Sequence, residues 1–252
     1  MSPMLTIAKR EFRSNFDSPL AYVVICMSFF ALGLTFFFLK GGFWQVDRAT
    51  VQRLFEFTPL GLSALVVPVV TMRLVAEERR SGTLEMLITL PVKDSDVIGG
   101  KYLGALGLVL VLVLATLIYP FAIFGFPWPL NFLGWNLGPL DSGPVWSGYI
   151  GLILFSAASV AIGLLISSFV ESQAVSFFIT FSILVALWYF DDLAEAAGAG
   201  TFATVLRYVS FQTRLSSFWR GLIDTRDVLY FISVTAIALV VSFRSLERRK
   251  WA

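Results

Sequence analysis

The ionisable and nucleophilic residues of this chain leave little room for chemistry of its own. Histidine is absent, which removes the usual general base, the commonest metal ligand and any Ser–His or Cys–His nucleophile pair. The one cysteine, Cys26, sits in an apolar run and reads as a small buried hydrophobe. Asp191 and Asp192 form an adjacent acidic pair, but neighbours in sequence point to different sides of a helix, so a hydrated helix end is the favoured reading. Gly99, Gly100 and Lys101 end like a phosphate-binding loop, yet Tyr102 stands where Ser or Thr is needed and the earlier glycine is missing. No catalytic residue, metal ligand or cofactor-binding residue is assigned, and any nucleotide site must belong to another chain. A net charge of +2 is too small to suggest nucleic-acid binding.

What stands out is a charge cluster, Arg73 to Lys101, in a protein that is only 14% charged and 57% hydrophobic. After Glu77, Glu78, Arg79 and Arg80, Gly82 permits a turn, and residues 83–90 can form two helical turns stopped by Pro91. On that helix Leu84, Leu87 and Ile88 share one face while Glu85 and Thr89 share another. A short helix of this kind, held between two spans, can seat in a partner's groove and pass its movement on. An ordinary solvated loop fits the same residues equally well.

The elements that must position this stretch are membrane spans, since a mean hydropathy of +0.80 is far above the soluble range. A span needs about 20 apolar residues. Six such segments are expected: 20–39, 57–75 with Pro68 as a kink, 98–124, 146–169, 174–190 and 228–246. Before them, residues 1–17 place Met4, Leu5, Ala8, Phe12 and Phe16 on one helical side and Lys9, Arg10 and Arg13 on another, as in a helix lying in the membrane interface. Residues 191–226 are too polar to span, but Leu206, Val209, Leu215, Phe218, Trp219 and Leu222 fit short amphipathic helices. Ser159, Gly163 and Ser167 form a small-residue stripe for close helix packing, within one subunit or along a dimer seam. The chain is thus an all-α integral membrane protein with one transmembrane domain over 1–252. With both termini inside, seven of the 19 Lys and Arg residues fall outside and the rest are cytoplasmic. The segment 76–97 is then a cytoplasmic loop, and the chain a multi-pass protein of the cytoplasmic (inner) membrane.

The run EERRSGTLEMLITLPVKDSDVIGGKYLG resembles the cytoplasmic coupling segment of ABC type-2 transporter permeases, with its E-x-R-x-G-T-L-E-x-L-x-x-x-P pattern followed by G-K. AIGLLISSFVESQAVSFFITF is similar to that family's turn between the fourth and fifth spans, and FWRGLIDTRDVLYFISVT to its entry into the last. Within the family the chain looks most like the short permeases associated with gliding motility and with nitrous-oxide-reductase maturation. The resemblance implies a non-enzymatic permease subunit, paired as a homo- or heterodimer and joined to cytoplasmic ABC ATPase subunits that carry ATP and Mg. It implies that Glu77, Glu78, Arg80, Gly82, Thr83, Leu84, Glu85, Leu87 and Pro91 couple to the ATPase, that 1–16 is an interfacial elbow and that 202–222 is an outer re-entrant element. Export of cargo is the first expectation. A mechanotransmitting anchor acting on an envelope or motility assembly is the alternative. Many type-2 permeases carry a large external domain, for which this chain has no room.

Overall fold

The computed structural model describes residues 3–17, 19–38, 52–82, 94–124 and 142–247. Among these, only helices and turns occur. The helices are α1 (Pro3–Asp17), α2 (Pro19–Phe37), α3 (Gln52–Gly61), a π-helical turn (Leu62–Val66), α4 (Val67–Thr71) and α5 (Ala76–Arg80). They continue with α6 (Asp94–Ala115), α7 (Ile118–Phe124), α8 (Ser142–Phe169), α9 (Gln173–Ala197), α10 (Thr201–Val209), α11 (Phe211–Trp219) and α12 (Thr225–Glu247). Five helical segments are long and apolar enough to cross a membrane, and α2 with α1 makes a sixth candidate bent by 73°. The protein is therefore an all-α integral membrane protein.

α8 is the central post. Leu152, Phe155, Ala158, Ala161 and Leu164 are fully buried along it, whereas α9 and α12 bury one side only and expose rows such as Phe178, Ile183, Leu229 and Ile237. Such apolar exposure is the normal state of a face that meets lipid or another membrane subunit. Phe155 packs against Phe211 and Trp188 with ring centroids 5.5 and 6.3 Å apart in edge-on geometry, which joins α8 to α11 and α9.

Prolines decide where two spans break. Pro68 has no N–H to offer the carbonyl four residues back, so a continuous α-helix would leave that carbonyl unpaired inside the membrane. The chain widens to a π-turn just before it, with the Val67 N–H donating to the Leu62 carbonyl. The expected kink at Pro68 is thus a π-turn. The third span, expected to run unbroken over 98–124, breaks at Thr116 and Leu117. Pro120 cannot donate to the Thr116 carbonyl, which accepts instead from the Tyr119 N–H at 3.1 Å.

Three further differences have simple causes. The fifth span runs on through Asp191 and Asp192 to Ala197, because nothing breaks it before Gly198, whose φ of 76° ends the helix. The amphipathic part expected over 191–226 accordingly starts at Thr201. α10 and α11 fold back onto the bundle: Phe211, Leu215 and Phe218 are fully buried, while Leu222, expected on the apolar face, is exposed. Cys26 is exposed on α2 rather than buried. A latch holds α11 to the start of α12. Arg214 lies over the Tyr208 ring at 4.4 Å and donates to Asp227 Oδ1 at 3.0 Å, and Ser217 donates to Asp227 Oδ2.

A close backbone approach joins α1 to α6. A Cβ on Gly100 would lie 2.7 Å from the Ile7 side chain and 2.9 Å from the Met4 carbonyl; one on Gly104 would lie 2.6 Å from Glu11 Cβ. Gly107 adds a third step against Phe12. Glycines at these spacings share one helix face and let α1 dock on backbone. The docked face of α1 carries Met4, Ile7, Ala8, Glu11 and Phe12, and Leu5, expected with them, is exposed. Gly104→Leu is expected to cost about 1–3 kcal/mol through overpacking and to release α1. Thiol labelling of an Ile7→Cys reporter in a Cys26→Ala background, slow with Gly104 in place and fast when Gly104→Leu is added, checks this.

Candidate functional site

The charged stretch enters and leaves the bundle at the end where α1, α5, the start of α6 and the last turns of α8 and α12 meet. Its first root is α5. The turn before α5 leaves backbone donors without intrahelical partners, and Ser167 Oγ on α8 accepts from both the Val75 and Ala76 N–H groups at 3.1 Å. The Arg79 guanidinium donates to the Ser168 carbonyl at the end of the same helix. Ser245 on α12 donates to that carbonyl as well, at 3.4 Å. Gly82 closes α5 with φ 70°, a conformation that L side chains rarely adopt.

The second root is the start of α6, and a buried ion cluster ties it to the first. Lys101 is only 2% exposed, and its Nζ lies 2.7 Å from Glu78 Oε1 of α5 and 3.2 Å from Glu11 Oε1 of α1. An ammonium withdrawn from water is tolerated only when opposite charge and hydrogen bonds replace its hydration. Here two carboxylates from separate segments do so, each itself largely buried. Beside them a polar cleft of about 550 Å³ runs between α1 and the end of the second span, with Arg10, Asp17, Arg73 and Glu77 on its walls.

Of the residues expected to couple, Glu78 is held by Lys101, Glu77 and Arg80 are exposed, and Gly82 ends α5. Thr83, Leu84, Glu85, Leu87 and Pro91 lie outside the described residues. In the small-residue stripe, Gly163 faces the second span so closely that a Cβ would lie 2.3 Å from Thr71 Oγ1. Ser167 makes the two bonds to α5, and the buried Ser159 hydroxyl has no partner among the described residues. All three are buried within the chain or nearly so.

Glu11, Arg79 and Lys101 are the residues that sequence reasoning missed as a group. One signal was available for Glu11. It shares a face with Met4, Ile7 and Ala8, and a carboxylate on an apolar face demands a buried cation. Among the described residues no group of three or more metal-ligating side chains gathers.

Residues 54–243 match the family described as ABC-2 family transporter protein. The match covers three quarters of the chain and all the spans that pack around α8. The chain belongs to this ABC-2 family. It is therefore a multi-pass permease subunit of an ATP-binding cassette transporter, of a family whose membrane subunits work with a separate ATPase. No curated protein matches it. The family match begins at Leu54, so α1 lies outside it although α1 supplies one of the two carboxylates on Lys101.

Lys101→Met is expected to destabilise the protein by about 3–5 kcal/mol, since it removes the buried cation that Glu11 and Glu78 share. Adding Glu11→Gln and Glu78→Gln to it is expected to restore most of that loss. Thermal unfolding of the purified protein in mild detergent checks both, and a triple variant less stable than Lys101→Met contradicts the assignment.

Proposed function

We propose that residues 83–93 are the lever through which a cytoplasmic ABC ATPase moves this permease subunit. One observation carries the reading: both roots of that segment are anchored to the bundle and to each other through the Lys101–Glu78 ion pair. A segment with fixed ends transmits a push instead of absorbing it. The contact surface is Glu77, Arg80 and Gly82 with Thr83, Leu84, Glu85, Leu87 and Pro91, and Glu78 is a positioning residue. This end of the bundle faces the cytoplasm, in keeping with its excess of Lys and Arg. The membrane is the cytoplasmic membrane.

The working unit is a pair of such subunits, identical or not, with two ATPase subunits that hold ATP and Mg. The exposed rows on α9 and α12 are available to lipid and to the second subunit. ATP binding closes the ATPase pair, pushes both levers and opens a path for export. The three sequence blocks support placing the chain with the short permeases of gliding motility and nitrous-oxide-reductase maturation.

Leu84→Asp and Glu85→Arg are each expected to abolish co-purification of the ATPase subunit while insertion and thermal stability stay at the parent level. Normal co-purification and normal stimulated ATP hydrolysis in both variants would overturn the lever assignment.

A further inference from the structure

The polar cleft beside Lys101 adjoins a row of two apolar pockets. It shares Asn15 and Arg73 with a narrow apolar slot of about 20 Å³ between α2 and the second span. That slot shares Val66 and Leu112 with a third, wider cavity of about 240 Å³ at the π-turn. The three lie in series along the seam of α2, the second span and α6, each sharing wall residues with the next, and this track is polar at the Lys101 end and apolar beyond it. The wide cavity is larger than the ~150 Å³ apolar cavities known to stay dry and to take a benzene ring. It too offers water nothing: Ser28, Thr35, Thr58 and Thr116 line it but turn their hydroxyls to carbonyls of their own helices at 2.6–3.0 Å.

We propose that this track binds one membrane phospholipid whose headgroup carries both a phosphate and a primary ammonium, with one acyl chain in the slot and the apolar cavity. Length supports this. From Val24 to Thr35 the track follows α2 for about 16 Å, half of the ~30 Å hydrocarbon core and so the depth of one leaflet. Charge supports it too. The cleft's described lining carries three cations and four carboxylates, which suits a zwitterion and disfavours an anionic headgroup. The Asn15 amide nitrogen, at the junction of cleft and slot, is buried and has no hydrogen-bond partner among the described residues. A lipid phosphate there gives it one, beside Arg73. Asp17 and Glu77 offer acceptors that a primary ammonium can meet with N–H donors and a quaternary one cannot. The proposal needs only that the chain is embedded in a membrane, and it stands or falls apart from the lever.

The test is native mass spectrometry of the full chain after reconstitution in bilayers of equal phosphatidylethanolamine, phosphatidylcholine and phosphatidylglycerol. One phosphatidylethanolamine retained per chain in preference to the others is expected. Asn15→Ala, which removes an unpartnered group and leaves stability unchanged, is expected to lower that retention roughly tenfold, as befits one lost hydrogen bond to a charged group. Ala31→Trp, at the exposed edge of the apolar cavity, is expected to lower it as well. Independently of any variant, a phosphatidylethanolamine with a photoreactive acyl chain is expected to label 24–35 and 60–66. Equal retention of the three lipids, retention of none, unchanged retention in Asn15→Ala, or labelling confined to α9 and α12 would each overturn the proposal.

Discussion

A single ammonium group sets the geometry of the end of the bundle where α1, α5 and the start of α6 meet. At 2% exposure Lys101 depends on two carboxylates in place of water, and these come from α1 and α5. Meeting that condition fixes three chain segments against one another. The glycine face of α6 makes it possible, because only a backbone-to-backbone approach brings Glu11 within reach of Lys101. Ion cluster and glycine seam therefore depend on each other. A side chain on Gly104 would push Glu11 away, and loss of the cation would leave α1 with a carboxylate facing the seam.

The same end is tied to the central post by neutral bonds. Ser167 and Ser168 at the end of α8 serve the backbone of Val75 and Ala76, the guanidinium of Arg79 and the hydroxyl of Ser245. Force applied to residues 83–93 thus reaches α6 directly and α8 through α5. At the opposite end the Arg214–Asp227 latch packs α11 against the start of α12. Between the two ends the spans are weakened at chosen places, since the π-turn before Pro68 and the break before Pro120 lack regular α-helical hydrogen bonding. Breaks of this kind are where long helices bend.

Much of the fold was legible because the membrane imposes it. An apolar run of span length must be helical, so five of the six expected spans match long apolar helices, and the two short amphipathic helices follow from the spacing of Leu206, Leu215 and Phe218. Hydropathy sees no helix breaker, so it ended the fifth span at the first aspartates, whereas the backbone runs on to Gly198. Nor does composition say how a proline is accommodated, and Pro68 and Pro120 are met by different devices. The site was legible in part. Its charges marked the stretch, but the partners of Lys101 lie 23 and 90 residues away in sequence, beyond the reach of helical spacing. Gly99 and Gly100, weighed as a failed phosphate loop, prove to be helix-packing residues. The small-residue stripe on α8 left open which neighbour it meets, and its Gly163 and Ser167 face the second span and α5.

The central claim is that α1 and α5 move as one body. Pulsed electron paramagnetic resonance between spin labels at the exposed Ser14 and Ser81, in a Cys26→Ala permease bound to its ATPase, measures this directly. One narrow distance, unchanged by ATP and broadened by Lys101→Met, is predicted. A distance that shifts when ATP is added, or that is equally narrow without Lys101, would contradict the account.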